Sequence, residues 1–173
     1  VQEFDAAASM ATDTMNVFGL NGRDALGNVD PTKQLEGLTH GMDVMSRASN
    51  MANLTVEDLF LSLAKGGAIA NATGADLETF SAIAAFMASN AVKGPKAGIA
   101  SKHIMMSLVG LGKKAGPLLQ ALGISILDNN GKLKDTLQRL DEVRGAFSKL
   151  KNKKEFLEGV DLLGGLIPIA AFT

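Results

Sequence analysis

The residues of this chain that could do chemistry are few and stand apart. His40 and His103 are the two histidines, and neither has a second ligand at the i, i+4 spacing that puts two imidazoles on one face of a zinc-protease helix. Both are therefore expected on helix surfaces or partly packed. Asp128-Asn129-Asn130-Gly131 offers oxygens beside a glycine, as a calcium loop does. The alternating ligand positions are missing, however, and no glutamate stands twelfth from Asp128. Turn formation is the plainer role, since Asn and Gly tolerate positive φ and the Asp side chain can accept from amides ahead of it. Gly110-Leu111-Gly112-Lys113-Lys114 lacks the spacing and the Ser/Thr of a phosphate loop and reads as a helix end with cations at its negative pole. No catalytic residue, cofactor site or metal site is assigned, and the chain is not read as an enzyme.

The densest positive charge is Lys149, Lys151, Lys153 and Lys154, with Arg144 a turn or so earlier. Such a cluster could hold phosphate, because DNA binding rests first on cation density. Aromatic interleaving is limited to Phe147 and Phe156, and the net charge of −1 gives no global field toward nucleic acid or an anionic membrane. A solvated linker face is the simpler reading. The alternative function is a DNA-binding helical module, with residues 55–88 as a helix-turn-helix-like pair and Lys149 to Lys154 on phosphate. Met42, Met45 and Met51 could form an adaptable partner surface, but their spacing is that of core positions.

These side chains must be carried by helices. Apolar residues make up 46% of the chain and aromatics only 5%, so a core has to come from Ala, Leu, Ile, Met and a few Phe in close helix-on-helix packing. A length of 173 residues fits one helical domain over 1–173, with a possible subdivision near 112–122. No cysteine is present, which excludes disulfides, thiolate metal sites and cysteine nucleophiles and fits a reducing cytoplasm. The chain opens on Val1 and closes on an apolar run over 162–172, which points to a piece excised from a longer protein. That run is too short to span a bilayer, so no membrane is expected as partner for this piece.

Along the chain, Phe4, Ala7, Ala8, Ala11, Met15 and Phe18 predict an amphipathic helix ending near Gly19 or Gly22. Leu35, Leu38, Met42, Met45, Ser49 and Ala52 predict a second with a narrow apolar seam. Thr55 with Asp58 reads as a capping-box pair opening a third through Phe60, Leu63, Ala64 and Ala68. Asp76 caps a fourth through Leu77, Phe80, Ile83, Ala84 and Met87. Gly94-Pro95 starts a fifth running to about residue 111, with Ala97, Gly98 and Ala100 leaving room for a close neighbour. A short turn of helix over 117–122 follows, then Leu133, Leu137, Leu140, Val143 and Phe147 line another helix, and a last helical stretch is expected over 156–163. Residues 43–73 and 77–111 resemble two helical hairpins without a repeat register.

Residues 122–135 interrupt this helical text: Ile124, Ile126 and Leu133 flank the turn at 128–131, which predicts one small β-hairpin near 124–133. The expected fold is mainly α, a compact bundle of about five to seven short helices with that single hairpin. Taken in order, Asp43-Val44-Met45, Thr55-Val56-Glu57-Asp58-Leu59, the turn and helix start at 94–98, and the 122–135 segment form a pattern that resembles the core region of bacteriophage and prophage tail tape measure proteins, over roughly residues 6–165. Gly94, Ala97 and Gly98 fall on that family's small-residue pattern, and Leu122, Gly123, Ile124, Asp128, Gly131 and Lys132 on its hairpin pattern. Pro95 and Ser101 depart from its commoner residues.

The resemblance implies a structural protein of the virion tail, present in the host bacterial cytoplasm during assembly. It implies roles in tail length determination, tail tube assembly and genome ejection. The partners it implies are the tail tube protein, tail assembly chaperones and baseplate or tail-tip proteins. No active site is implied. Gly residues and helix stops are too frequent here for a long ruler helix, so length measurement is expected in sequence outside this piece.

Overall fold

The computed structural model describes residues 2–24, 26–111 and 114–150, with side chains from residue 9 onward. Seven α-helices lie among them: α1 (Gln2–Val17), α2 (Pro31–Met51), α3 (Val56–Ala72), α4 (Leu77–Ser89), α5 (Gly94–Leu108), α6 (Ala115–Ala121) and α7 (Thr136–Phe147). The stretch expected over 156–163, with Lys151, Lys153, Lys154 and Phe156, lies outside the described residues.

Side-chain caps set most of the helix starts. The Thr55 hydroxyl accepts from the Asp58 amide while the Asp58 carboxylate accepts from the Thr55 amide, a complete capping box at α3. Asp30, Asp76 and Asp135 cap α2, α4 and α7 by accepting from amides of their first turns. At α5 no side chain caps; Pro95 stands in the first turn, where its missing amide costs nothing, and Gly94 takes φ +57° to turn the chain into it.

The β-hairpin expected near 124–133 does not form. Among the described residues there is no strand or sheet, and the segment holds one isolated antiparallel bridge, Leu127 to Leu133. The turn chemistry is present but closes on itself. Asp128 Oδ1 accepts from the amides of Asn130 at 2.8 Å and Lys132 at 2.9 Å, and the Asp128 carbonyl accepts from Gly131 at φ +75°. One residue past the bridge, Lys134 makes a last bond to the Ile126 carbonyl at 3.0 Å, and Asp135 then caps α7. The helix begins before a ladder can grow.

Among the described helices the most extensive contact is between α3 and α5, which run parallel. Asp58 and Ser62 meet Gly94, and Ser62, Lys65 and Gly66 meet Gly98. A Cβ added at Gly98 would stand 2.2 Å from the Ser62 carbonyl oxygen, and one at Gly66 would stand 2.6 Å from the Gly98 carbonyl oxygen. The Ser62 hydroxyl stitches the seam by donating to the Gly94 carbonyl at 2.8 Å. The expected close approach at Ala97, Gly98 and Ala100 is thus realised, with α3 as the neighbour.

A register joins the two hairpins α2–α3 and α4–α5. Asn53 at φ +44° and Ala91 at φ +62° occupy equivalent left-handed positions 38 residues apart, in the turns before α3 and α5. Shifted by 38, the buried residues Leu59, Ser62, Leu63, Gly66, Gly67 and Ala70 of α3 become Ala97, Ala100, Ser101, Ile104, Met105 and Leu108 of α5, all buried. The turns are tied directly, because Lys93 Nζ donates to the Asn53 carbonyl. Outside this layer α2 lies along α4, with His40 beside Glu78 and Gly41 against Leu77.

Two apolar clusters result. One gathers Met45, Leu54, Leu59, Leu63, Leu77, Phe80 and Met105 between α2, α3, α4 and α5. The other gathers Met87, Ile104, Leu108, Leu119, Val143 and Phe147 between α4, α5, α6 and α7. Three expected apolar faces are displaced. On α2 the buried residues are Gly37, Gly41, Met45 and Ala48, while Leu35 and Met42 are exposed, because the glycines let the backbone press on Leu20. On α3, Ala64 and Ala68 face outward, and the buried stripe is shifted toward the glycines that meet α5. On α7, Leu137 is exposed while Arg139 is buried.

Candidate interaction surfaces

The chemistry-bearing residues are not brought together. His103 is exposed on α5, and His40 on α2 reaches Glu78 on α4 through Nε2 at 2.6 Å, both side chains about half exposed. Among the described residues no group of three His, Cys, Asp or Glu side chains is placed to hold a metal. Arg144 and Lys149 are exposed at the end of α7 and just beyond it. Of the three methionines on α2, Met45 is core, whereas Met42 and Met51 are exposed.

Two of the concave surfaces among the described residues stand out. A groove of about 490 Å³ runs between α2 and α4, with Val44, Ala48, Met51, Ala82, Ala85 and Phe86 on its apolar walls. Its rim carries the His40–Glu78 contact and the Asp43–Arg47 pair at 2.8 Å. The buried Ser81 hydroxyl beside it has no hydrogen-bond partner among the described residues. A smaller cleft of about 260 Å³ separates α1 from α3 and is lined by Val17, Phe18, Phe60 and Leu63.

One feature that sequence reasoning missed is a repeated connection. Loop A, residues 18–30, links α1 to α2, and loop B, residues 122–135, links α6 to α7. At an offset of 104 residues the two share a set of backbone bonds. The amide of Leu20 donates to Met15 and that of Ile124 to Leu119; Asp24 donates to Asn28 and Asp128 to Lys132; Gly27 donates to Asp24 and Gly131 to Asp128; Asp30 donates to Gly22 and Lys134 to Ile126. In both, one carboxylate oxygen accepts two amides, Leu26 and Asn28 on Asp24, Asn130 and Lys132 on Asp128. The bridges Arg23–Val29 and Leu127–Leu133 also correspond, as do the left-handed glycines 19 and 123, 27 and 131. The shared signal, Gly-x4-Asp-x2-Gly-x-aliphatic, is legible in both stretches once they are laid side by side.

A model of the family described as phage-related minor tail protein matches residues 1–164. The chain belongs to that family. Phage-related minor tail proteins are structural parts of the phage tail, so the tail location implied by the resemblance holds at that level, beside the mainly helical fold expected from the residues. No curated protein and no solved structure matches the chain. No described helix is long and apolar enough to cross a membrane.

Proposed function

We propose that this minor tail protein chain is a folded helical module of a tail tape measure protein, acting in tail tube assembly and genome delivery as part of a longer polypeptide. The observation that carries the reading is the ordered set of four motifs. Its segments at 55–59, 94–98 and 122–135 coincide with joints of the fold: the capping box of α3, the glycine-proline start of α5, and loop B. Family membership supports the tail setting. The partners that follow are the tail tube protein, tail assembly chaperones and baseplate or tail-tip proteins.

Length itself is set elsewhere in the parent protein on this reading. The described helices are at most 21 residues long and are broken by left-handed glycines, which suits a module rather than a ruler. The test is made in the gene that encodes this chain. Inserting about 60 helix-forming residues outside this region should lengthen tails by about 90 Å, at roughly 1.5 Å per residue, as measured on electron micrographs. Tails of unaltered length would remove the tape measure reading.

A further inference from the structure

Asn-Gly, the dipeptide in which an asparagine side chain meets the least hindered backbone nitrogen, occurs twice in the chain, at 21–22 in loop A and 130–131 in loop B. The two are held differently. In loop A the Asn21 carboxamide is tied at both ends, Nδ2 donating to Asn16 Oδ1 at 2.9 Å and Oδ1 accepting from the Arg23 amide at 3.2 Å. Gly22 is wedged on α2, since a Cβ there would stand 2.5 Å from the Gln34 nitrogen, and its carbonyl accepts from the Asp30 amide. In loop B both residues are exposed, nothing lies within 4 Å of a Cβ built on Gly131, and the Asn130 carboxamide makes no hydrogen bond among the described residues. A single bond, from the Gly131 amide to the Asp128 carbonyl at 3.1 Å, restrains the nucleophile. An exposed turn of this kind opens readily.

We propose that Asn130 is a site of self-modification: the Gly131 backbone nitrogen attacks the Asn130 carboxamide carbon, so that loop B is altered by its own chemistry while loop A is spared. The new N–Cγ bond forms as the Gly131 amide proton passes to solvent base, and the Cγ–Nδ2 bond breaks with the nitrogen leaving as ammonia. Water then opens the cyclic imide. Cleavage at the new bond leaves an aspartate at position 130, and cleavage at the original backbone carbonyl leaves an isoaspartate, whose main chain runs through Cβ. Either product sets a second carboxylate beside Asp128. The isoaspartate also lengthens the main chain between the amides of Asn130 and Lys132, which Asp128 Oδ1 holds at 2.8 and 2.9 Å. The turn that leads into α7 then loosens. This inference is independent of the tape measure reading, and tail length does not test it.

Peptide mapping by mass spectrometry of the whole chain, kept at mildly alkaline pH over weeks, tests it. The peptide carrying Asn130 should split into two acid products, at a rate at least about tenfold above that at Asn21, whose two side-chain bonds must open first. In urea the two sites should react alike, because the fold makes the difference. Aged protein should show a less protected Lys132 amide in hydrogen exchange, whereas Asn130→Gln, whose longer side chain does not close the same ring, should keep that protection through the same incubation. Equal rates in the folded chain, faster conversion at Asn21, or no conversion at 130 while the denatured chain reacts would each overturn the proposal. So would an equal loss of Lys132 protection in Asn130→Gln.

Discussion

Arg139 donates through Nη2 to the carbonyl of Thr73, 66 residues earlier in the chain, and in doing so pins loop B to the end of α3. The same group donates to the Thr136 hydroxyl at 2.8 Å, while Nε donates to the Lys134 carbonyl at 3.0 Å. The guanidinium is therefore held mainly by backbone oxygens, that of Thr73 at the C-terminus of α3, where the dipole is negative, and those of Lys134 and Asp135 just before α7. Burial lowers its pKa, an effect the nearby Asp135 charge opposes, and it stays protonated throughout the neutral range.

Arg139→Met keeps the volume and removes the donors, leaving the Thr73 and Lys134 carbonyls without this partner. A loss of about 2–3 kcal/mol is expected in urea unfolding, the cost of buried acceptors left bare. Arg139→Lys should restore only part of it, because one ammonium cannot reproduce the geometry of a planar fork. A variant with the wild-type midpoint would show that loop B is held by other contacts.

The α3–α5 seam predicts opposite signs for the same substitution at two glycines. Gly98→Ala drives a Cβ to 2.2 Å from a backbone oxygen, which no rotamer change relieves, so the helices must separate at a cost of about 3 kcal/mol. Gly145→Ala lies within α7 with nothing inside 4 Å of the new carbon and should stabilise by about 0.5–1 kcal/mol. Chemical unfolding of the pair against the wild type decides the matter. Equal midpoints would mean the seam is looser than described.

What could be foreseen follows the range of the interaction. The Thr55–Asp58 box, the Asp76 cap and the Gly94-Pro95 start depend on residues three or four apart, and each stands where short-range reasoning puts it. The 38-residue register was hidden for a physical reason. Its paired positions are complementary in size rather than alike, Leu59 with Ala97, Leu63 with Ser101, Gly66 with Ile104, Gly67 with Met105. A repeat whose faces interlock carries little identity to detect. Arg139 was invisible because its partner lies 66 residues away and an arginine on an amphipathic helix is ordinarily read as solvent-facing. The expected hairpin is reduced to one bridge because turn residues and flanking aliphatics specify a reversal without specifying that strands continue beyond it. As for the surfaces, the exposure of Leu35 and Met42 depends on glycines 37 and 41 redirecting α2 toward Leu20, a packing outcome that no periodicity encodes.

The equivalent turns before α3 and α5 should also respond in opposite directions. Asn53 tolerates its left-handed backbone, so Asn53→Ala is expected to lose about 1 kcal/mol. Ala91 already bears that strain at φ +62°, and Ala91→Gly should gain about 0.5 kcal/mol once the greater freedom of glycine in the unfolded chain is set against the relief. Thermal melts at one pH suffice. Loss of stability in Ala91→Gly would mean that its methyl group contributes packing that outweighs the backbone strain.

Loop A should loosen on acidification before the helical layers do. The Asp24 carboxylate accepts from the Asn28 side-chain amide at 3.0 Å and from the Asn28 and Leu26 backbone amides at 2.8 and 2.9 Å. These bonds favour the charged form and hold its pKa below the ordinary 3.8, the Asn28 side-chain bond contributing most. For a carboxyl lowered by folding, the linked stabilisation is fully present above 3.8 and is lost as pH falls through the depressed value. Amide exchange at Leu26 and Asn28 should therefore lose protection only below about pH 4, beyond the change in intrinsic exchange rate, while the amide of Phe80 in the core of α4 keeps its own. Asp24→Asn should remove that pH step and leave both loop amides weakly protected at neutral pH. If the step persists in Asp24→Asn, another acid controls the loop.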